Sequence, residues 1–240
     1  MKTAATAEQL LADGTEALMA ASFGTGDFDE AQTTLDAARD RAAADGDRRT
    51  EAAALDKLAM VLHYRALANN RDASNADAEE ALFQQALAVR REIGDLGGVA
   101  ESLFGLGLVH QVLRRDWAAA MPLFREALEL ADQHADAYVR SECHRHVGFY
   151  YFAEERDADK SLEHLHESQR LREEWGDPRS IAGGTLAIGQ IELLAGRHED
   201  AAVHLRQAVE QLEQAGVRGR HIEQGVEWLR RAEAGEPAPE

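Results

Sequence analysis

Apolar residues recur along most of the chain at spacings of three and four, and no stretch alternates as a half-buried strand would. Only four prolines occur, two of them in the last four residues, so the interior is free to form long helices. The pattern predicts an all-α protein. Three ladders of positions order its helices. Gly46, Gly94, Ala135, Gly176 and Gly216 stand at expected helix ends, 48, 41, 41 and 40 residues apart. Glycine just past a helix end takes the left-handed conformation that closes the last turn. Ala59, Gly107, Gly148 and Gly189 form a second ladder, each after an apolar residue, where a small side chain lets a second helix approach closely. The third ladder lies downstream: Ala31/Leu35/Ala38, Ala120/Phe124/Ala127, Ser161/Leu165/Ser168 and Ala201/Leu205/Ala208 share one spacing of i, i+4, i+7.

These residues resemble the tetratricopeptide repeat (TPR) family, whose first helix carries a large apolar residue before Leu-Gly and whose second carries Ala, Leu or an aromatic, and Ala. The fullest match is TLAIGQIELLAGRHEDAAVHLRQAV, residues 185–209. The period near 41 is similar to the long repeats of kinesin light chains and of bacterial LuxR-type regulators. The resemblance implies a right-handed superhelical TPR solenoid of five helix-turn-helix repeats, at about 7–45, 50–94, 97–135, 137–176 and 179–216. A C-terminal capping helix at about 219–234, with Ile222, Val226 and Leu229 as its apolar stripe, completes a single domain over 1–234. Residues 235–240 are expected to be a disordered tail.

The chain departs from the family pattern in several places. No repeat has the helix-ending proline, Met19 stands where the first repeat should have a small residue, and Glu79 replaces an alanine of the second. The second repeat carries about eight extra residues, and the turns of the third and fourth carry one each. Pro122, some five residues into a helix, is expected to bend or fray its start. Capping pairs are expected at Thr6 and Gln9, Asp27 and Glu30, and Asp77 and Glu80.

Composition narrows the function. The 44 acidic against 26 basic residues give a net charge of −18, which repels nucleic-acid phosphates and anionic lipid and favours basic partners. No run of about 18 apolar residues is evident and the N-terminus lacks a signal-peptide core, so no membrane association and a cytoplasmic location are expected. A single cysteine allows no internal disulfide. The scarcity of lysine beside abundant alanine points to a high-GC bacterial source.

Catalytic signatures are missing: there is no phosphate-binding loop motif, no CxxC and no HExxH. His144 and His146 point about 200° apart on a helix, as do His164 and His166, so neither pair suits one metal ion. No metal site and no cofactor are expected. The family resemblance instead implies a concave groove lined by first helices. Carried over position by position, its residues are Asp56, Met60, His63, Tyr64, Glu101, Phe104, Leu108, Gln111, Glu142, Arg145, His146, Phe149, Phe152 and Gln190. Aromatic residues form the floor and carboxylates the rim. The function expected is a non-catalytic scaffold for a protein or peptide, with basic residues flanking an apolar anchor. Two alternatives are a small-molecule-sensing module acting through a partner, and an enzyme or metalloprotein assembled from His63, Tyr64, Glu142 and His146. A homodimer stays open.

Overall fold

The computed structural model describes residues 5–238. Among them eleven α-helices and no strands occur: α1 (Ala7–Ser22), α2 (Phe28–Asp45), α3 (Arg48–Ala68), α4 (Ala76–Ile93), α5 (Leu96–Leu108), α6 (Trp117–His134), α7 (Ala137–Ala153), α8 (Ala158–Trp175), α9 (Pro178–Leu194), α10 (His198–Gln214) and α11 (Arg220–Ala234). A 3₁₀ turn, Ala73–Asn75, precedes α4, and a π-helical segment, Val109–Leu113, continues α5.

Helix boundaries follow capping chemistry. Thr6 and Gln9 form a reciprocal capping box at 3.0 and 3.2 Å. Asp27, Asp47, Asp116, Asp157 and Asp177 each accept a backbone N–H at a helix start. Gly46, Gly94 and Gly176 close helices with φ of 72°, 71° and 87°. Asp77 is a correction. It lies inside α4, and with Glu80 it accepts from Arg114 rather than capping anything.

Neighbouring helices pair first with second through the small-residue ladder. A Cβ on Gly107 would come within 2.4 Å of Phe124, and one on Gly189 within 2.7 Å of Leu205. In the first repeat Gly14 takes this place, 2.7 Å from Leu35, so the small residue is Gly14 and Met19 is no departure. The downstream ladder is wholly interior: Leu35, Phe124, Leu165 and Leu205 are at most 2% exposed.

The helices form two compact units, residues 1–22 with 26–136, and residues 23–25 with 137–240. In the first, Leu18, Ala31, Leu35, Leu58 and Val61 form a core cluster. The second contains two clusters, one around Leu162, Leu165, Ile188 and Ile191, the other around Leu186, Leu205, Leu212 and Trp228. On α11 the buried stripe is Gly225, Trp228 and Ala232, with Ile222 and Leu229 beside it. Val226, expected in that stripe, is 50% exposed. The expected tail is described as far as Ala238, where Arg230 pairs with Glu236 and Arg231 donates to the Pro237 carbonyl. Residues 239–240 of it lie outside the described residues.

The extra residue of the third repeat is absorbed by the π segment, where Arg114 N–H reaches back to the Val109 carbonyl at 3.1 Å. Both the third and fourth turns then pass through an arginine in the left-handed region, Arg115 (φ 55°) and Arg156 (φ 57°), where the fifth has Gly196 (φ 76°). Pro122 sits inside α6, which runs unbroken from its Asp116 cap, so the expected fraying is absent. Leu96–Leu113 has a mean hydropathy of 1.3 and is long and apolar enough to cross a membrane, contrary to expectation. Buried over 67% of its residues, it serves as a core helix of this unit.

Candidate interaction faces of the first helices

In the first unit the expected groove residues divide evenly. Met60 and Tyr64, one turn apart on α3, are half-buried on the Leu18 and Leu35 cluster, while Glu101 and Gln111 also keep part of their surface. Asp56, His63, Phe104 and Leu108 do not. They are 1%, 3%, 7% and 3% exposed, and each has an interior task. Phe104 lies 5.7 Å from Phe124, filling space between α5 and α6. His63 Nδ1 lies 2.9 Å from Glu79 Oε1, so the glutamate that breaks the alanine ladder is matched by a histidine on the paired helix.

Asp56 belongs to a buried ionic cluster that sequence reasoning missed. Arg90, in the last turn of α4, pairs with Asp56, donates to Glu101 at 2.8 Å and caps the Gly98 carbonyl at the start of α5. Ser102 donates to Asp56 at 3.0 Å, and Lys57 meets Glu101 at 2.6 Å. Burial pushes the Asp56 carboxyl up, to about 7, against the pull of Arg90. Burial also works against ionised Glu101, yet Lys57 and Arg90 prevail and hold it down at about 2.

The second unit repeats the device. Arg172, in the last turn of α8, pairs with Glu142 of α7 and donates to the Ser180 carbonyl at 2.9 Å and hydroxyl at 2.8 Å at the start of α9. Glycine makes room in both cases: a Cβ on Gly98 would meet Arg90 Nε at 2.5 Å, and one on Gly184 would meet Arg172 Cδ at 2.9 Å. The available signal was an arginine four residues before a turn glycine, followed by Gly97-Gly98 or Gly183-Gly184.

All six expected residues of the second unit, Glu142, Arg145, His146, Phe149, Phe152 and Gln190, keep part of their surface exposed. Phe149 and Phe152 are backed by Ile188 and Ile191 of α9. The Arg145 guanidinium stands 5.3 Å over the Phe149 ring, and His146 meets that ring edge-on at 5.5 Å. Near the start of α11, burial, then Arg145 and Arg220, hold His221 below the usual imidazole range. Glu142 is already neutralised by Arg172, so the rim carboxylates Asp56, Glu101 and Glu142 all have internal partners. His63 is committed to Glu79 and Glu142 to Arg172. Among the described residues, no three His, Cys, Asp or Glu side chains are grouped to hold a metal ion.

Paired helices stacked through small-residue ladders define a helical-repeat fold. No protein-family model matches the chain, and no curated protein matches it. Solved structures do. BtubC (BKLC) from P. vanneervenii is similar at 16% identity and a TM-score of 0.56, covering 90% of this chain and 95% of that one. A putative kinesin light chain from Podosopora anserina with nearly identical TPR-like repeats is similar at 13% identity and a TM-score of 0.51, covering 89% and 99%. The likeness is one of fold: this chain has the TPR-like repeat fold that its ladders lead one to expect.

Proposed function

We propose that the protein is a non-catalytic scaffold that holds a segment of another protein against the exposed face of α7. The observation that carries this reading is the placement of Arg145, His146, Phe149 and Phe152, which share one face of α7 with part of their surface open. Partly open aromatic groups beside a guanidinium supply apolar area and orientation together, the usual ingredients of a peptide anchor. Because the rim carboxylates are internally paired, affinity rests on an apolar anchor residue, and the net charge of −18 steers basic flanks only at long range. Cytoplasmic residence is part of this reading, supported by a lone, buried thiol at Cys143.

Selection of peptides from a random display library against the full chain tests it. Selected peptides should lose at least about tenfold in affinity on Phe149→Ala, the scale of one interface anchor, measured at a temperature where the melting curve shows the variant still folded. Peptides that bind Phe149→Ala and Phe152→Ala as well as the parent chain would rule out this face.

A further inference from the structure

Three residues of α7 at spacings of four and three, His144, Gly148 and Tyr151, share one side of the helix. Across from them lies His164 of α8. Gly148 lets α8 come close here, since a Cβ there would stand 3.2 Å from His164 Cβ and 3.0 Å from the Ser161 carbonyl. Tyr151 stacks on the His164 ring at 5.4 Å and 18°, fixing its plane. His144 comes from the other flank, with its Nδ1 3.1 Å from His164 Nδ1.

Two imidazole nitrogens at this distance have two uses. One ring donates a proton to the other, or both lone pairs turn to one cation. With metal-to-nitrogen bonds of about 2.0–2.1 Å and angles of about 90–110°, two ligating nitrogens stand about 2.9–3.4 Å apart. The observed separation lies inside that window. The charges around the pair are mixed: Arg140 on α7, and Lys160, Glu167 and Arg170 on α8, where Arg170 donates to Glu167 at 2.7 and 2.9 Å.

We infer that His144 and His164 form a two-imidazole clip that binds one borderline divalent transition-metal cation, of the zinc or copper class, between α7 and α8. Imidazole selects these ions over magnesium and calcium, which prefer oxygen. Water fills the remaining positions. The proton between the rings moves to the Nε2 of the ring that carried it, so binding to the neutral pair releases none. The clip ties together the helix pair that carries the Phe149 face, and a bound cation stabilises that pair by mass action.

Calorimetric titration of the full chain, without a histidine tag, by zinc chloride or copper sulfate at pH 7.5 tests the clip. One equivalent binds, and His144→Ala and His164→Ala each weaken binding at least tenfold, while His134→Ala at the exposed end of α6 changes nothing. His164→Asn keeps a donor near the Nδ1 position, so it retains the fold and still loses the cation. On the unaltered chain, nitrogen-15 spectra of labelled histidine show two Nδ1 resonances moving with the first equivalent of zinc. Absence of a stoichiometric site, equal affinity in His164→Asn, or a zinc titration that moves no pair of Nδ1 resonances would overturn the assignment.

Discussion

His63 and Glu79 meet at 2.9 Å inside the pair formed by α3 and α4, both shut off from water. Each is out of place alone, and the contact gives His63 Nδ1 and Glu79 Oε1 a partner while Glu79 Oε2 stays buried without one. Replacing either one leaves its partner buried without a hydrogen bond, a loss of about 1–3 kcal/mol and more if the survivor is charged. Glu79→Ala restores the family residue, yet it should destabilise the chain. His63→Leu with Glu79→Ala should recover most of the loss. Urea unfolding of the two single variants and the double variant measures the coupling, and strictly additive effects would contradict it.

The arginines of α4 and α8 each join three helices. Arg172→Ala should cost about 3–5 kcal/mol by stranding Glu142 in a mostly buried place, and Arg172→Lys should rescue little, because a single ammonium cannot reach Glu142 and Ser180 together. Gly98→Ala should also destabilise, since the new methyl would press on Arg90. Thermal melts of the three variants check this.

Acid and alkaline limits of stability should separate Asp56 from Glu101. Asp56 is raised by burial from 3.8 to about 7, so the folded chain holds that proton more tightly than the unfolded one. Its contribution is whole below pH 3.8 and declines as pH rises toward 7. Glu101 is lowered from 4.5 to about 2, so its contribution is present above pH 4.5 and is lost as pH falls toward 2. Melting temperature against pH should therefore lose its decline between pH 4 and 7 in Asp56→Asn, and its acid loss below 4.5 in Glu101→Gln. An Asp56→Asn profile parallel to that of the parent would show that this carboxyl does not titrate there.

Arg156 holds a backbone conformation that glycine adopts freely. Arg156→Gly should stabilise the turn before α8 by about 0.5–1 kcal/mol, the left-handed strain being partly offset by a freer unfolded chain. A rise of a few degrees in melting temperature is the expected reading, and a fall would mean that the arginine side chain contributes more than the strain it causes.

The helix map was legible because burial repeats with the helix period. Leu35, Phe124, Leu165 and Leu205 announce their face by the small residues around them, and all four are interior. The binding faces were only half legible. An aromatic on the inner side of a first helix has the same spacing whether it fills the core, as Phe104 does, or stays partly open, as Phe149 does. Pairings between helices were not legible at all. His144 with His164, or Arg172 with Glu142, depends on how two separately formed helices slide past each other, and no periodicity within either helix encodes that offset. Gly14 was not legible because the turn between α1 and α2, residues 23–27, is longer than those before α6, α8 and α10 and displaces the small residue from the ladder.

The clasp made by Arg90 with the glycines of α5, and by Arg172 with those of α9, gives the array a grammar of two alternating words. The arginine sits in repeats two and four, while the matching positions of the first, third and fifth are Ala42, Ala131 and Leu212. A donor repeat must be followed by an acceptor with glycine at its helix start. Recombination that duplicates or deletes one repeat would set two donors or two acceptors side by side, whereas copying a pair preserves every junction. Lengthening this protein, by evolution or by engineering, should therefore proceed two repeats at a time.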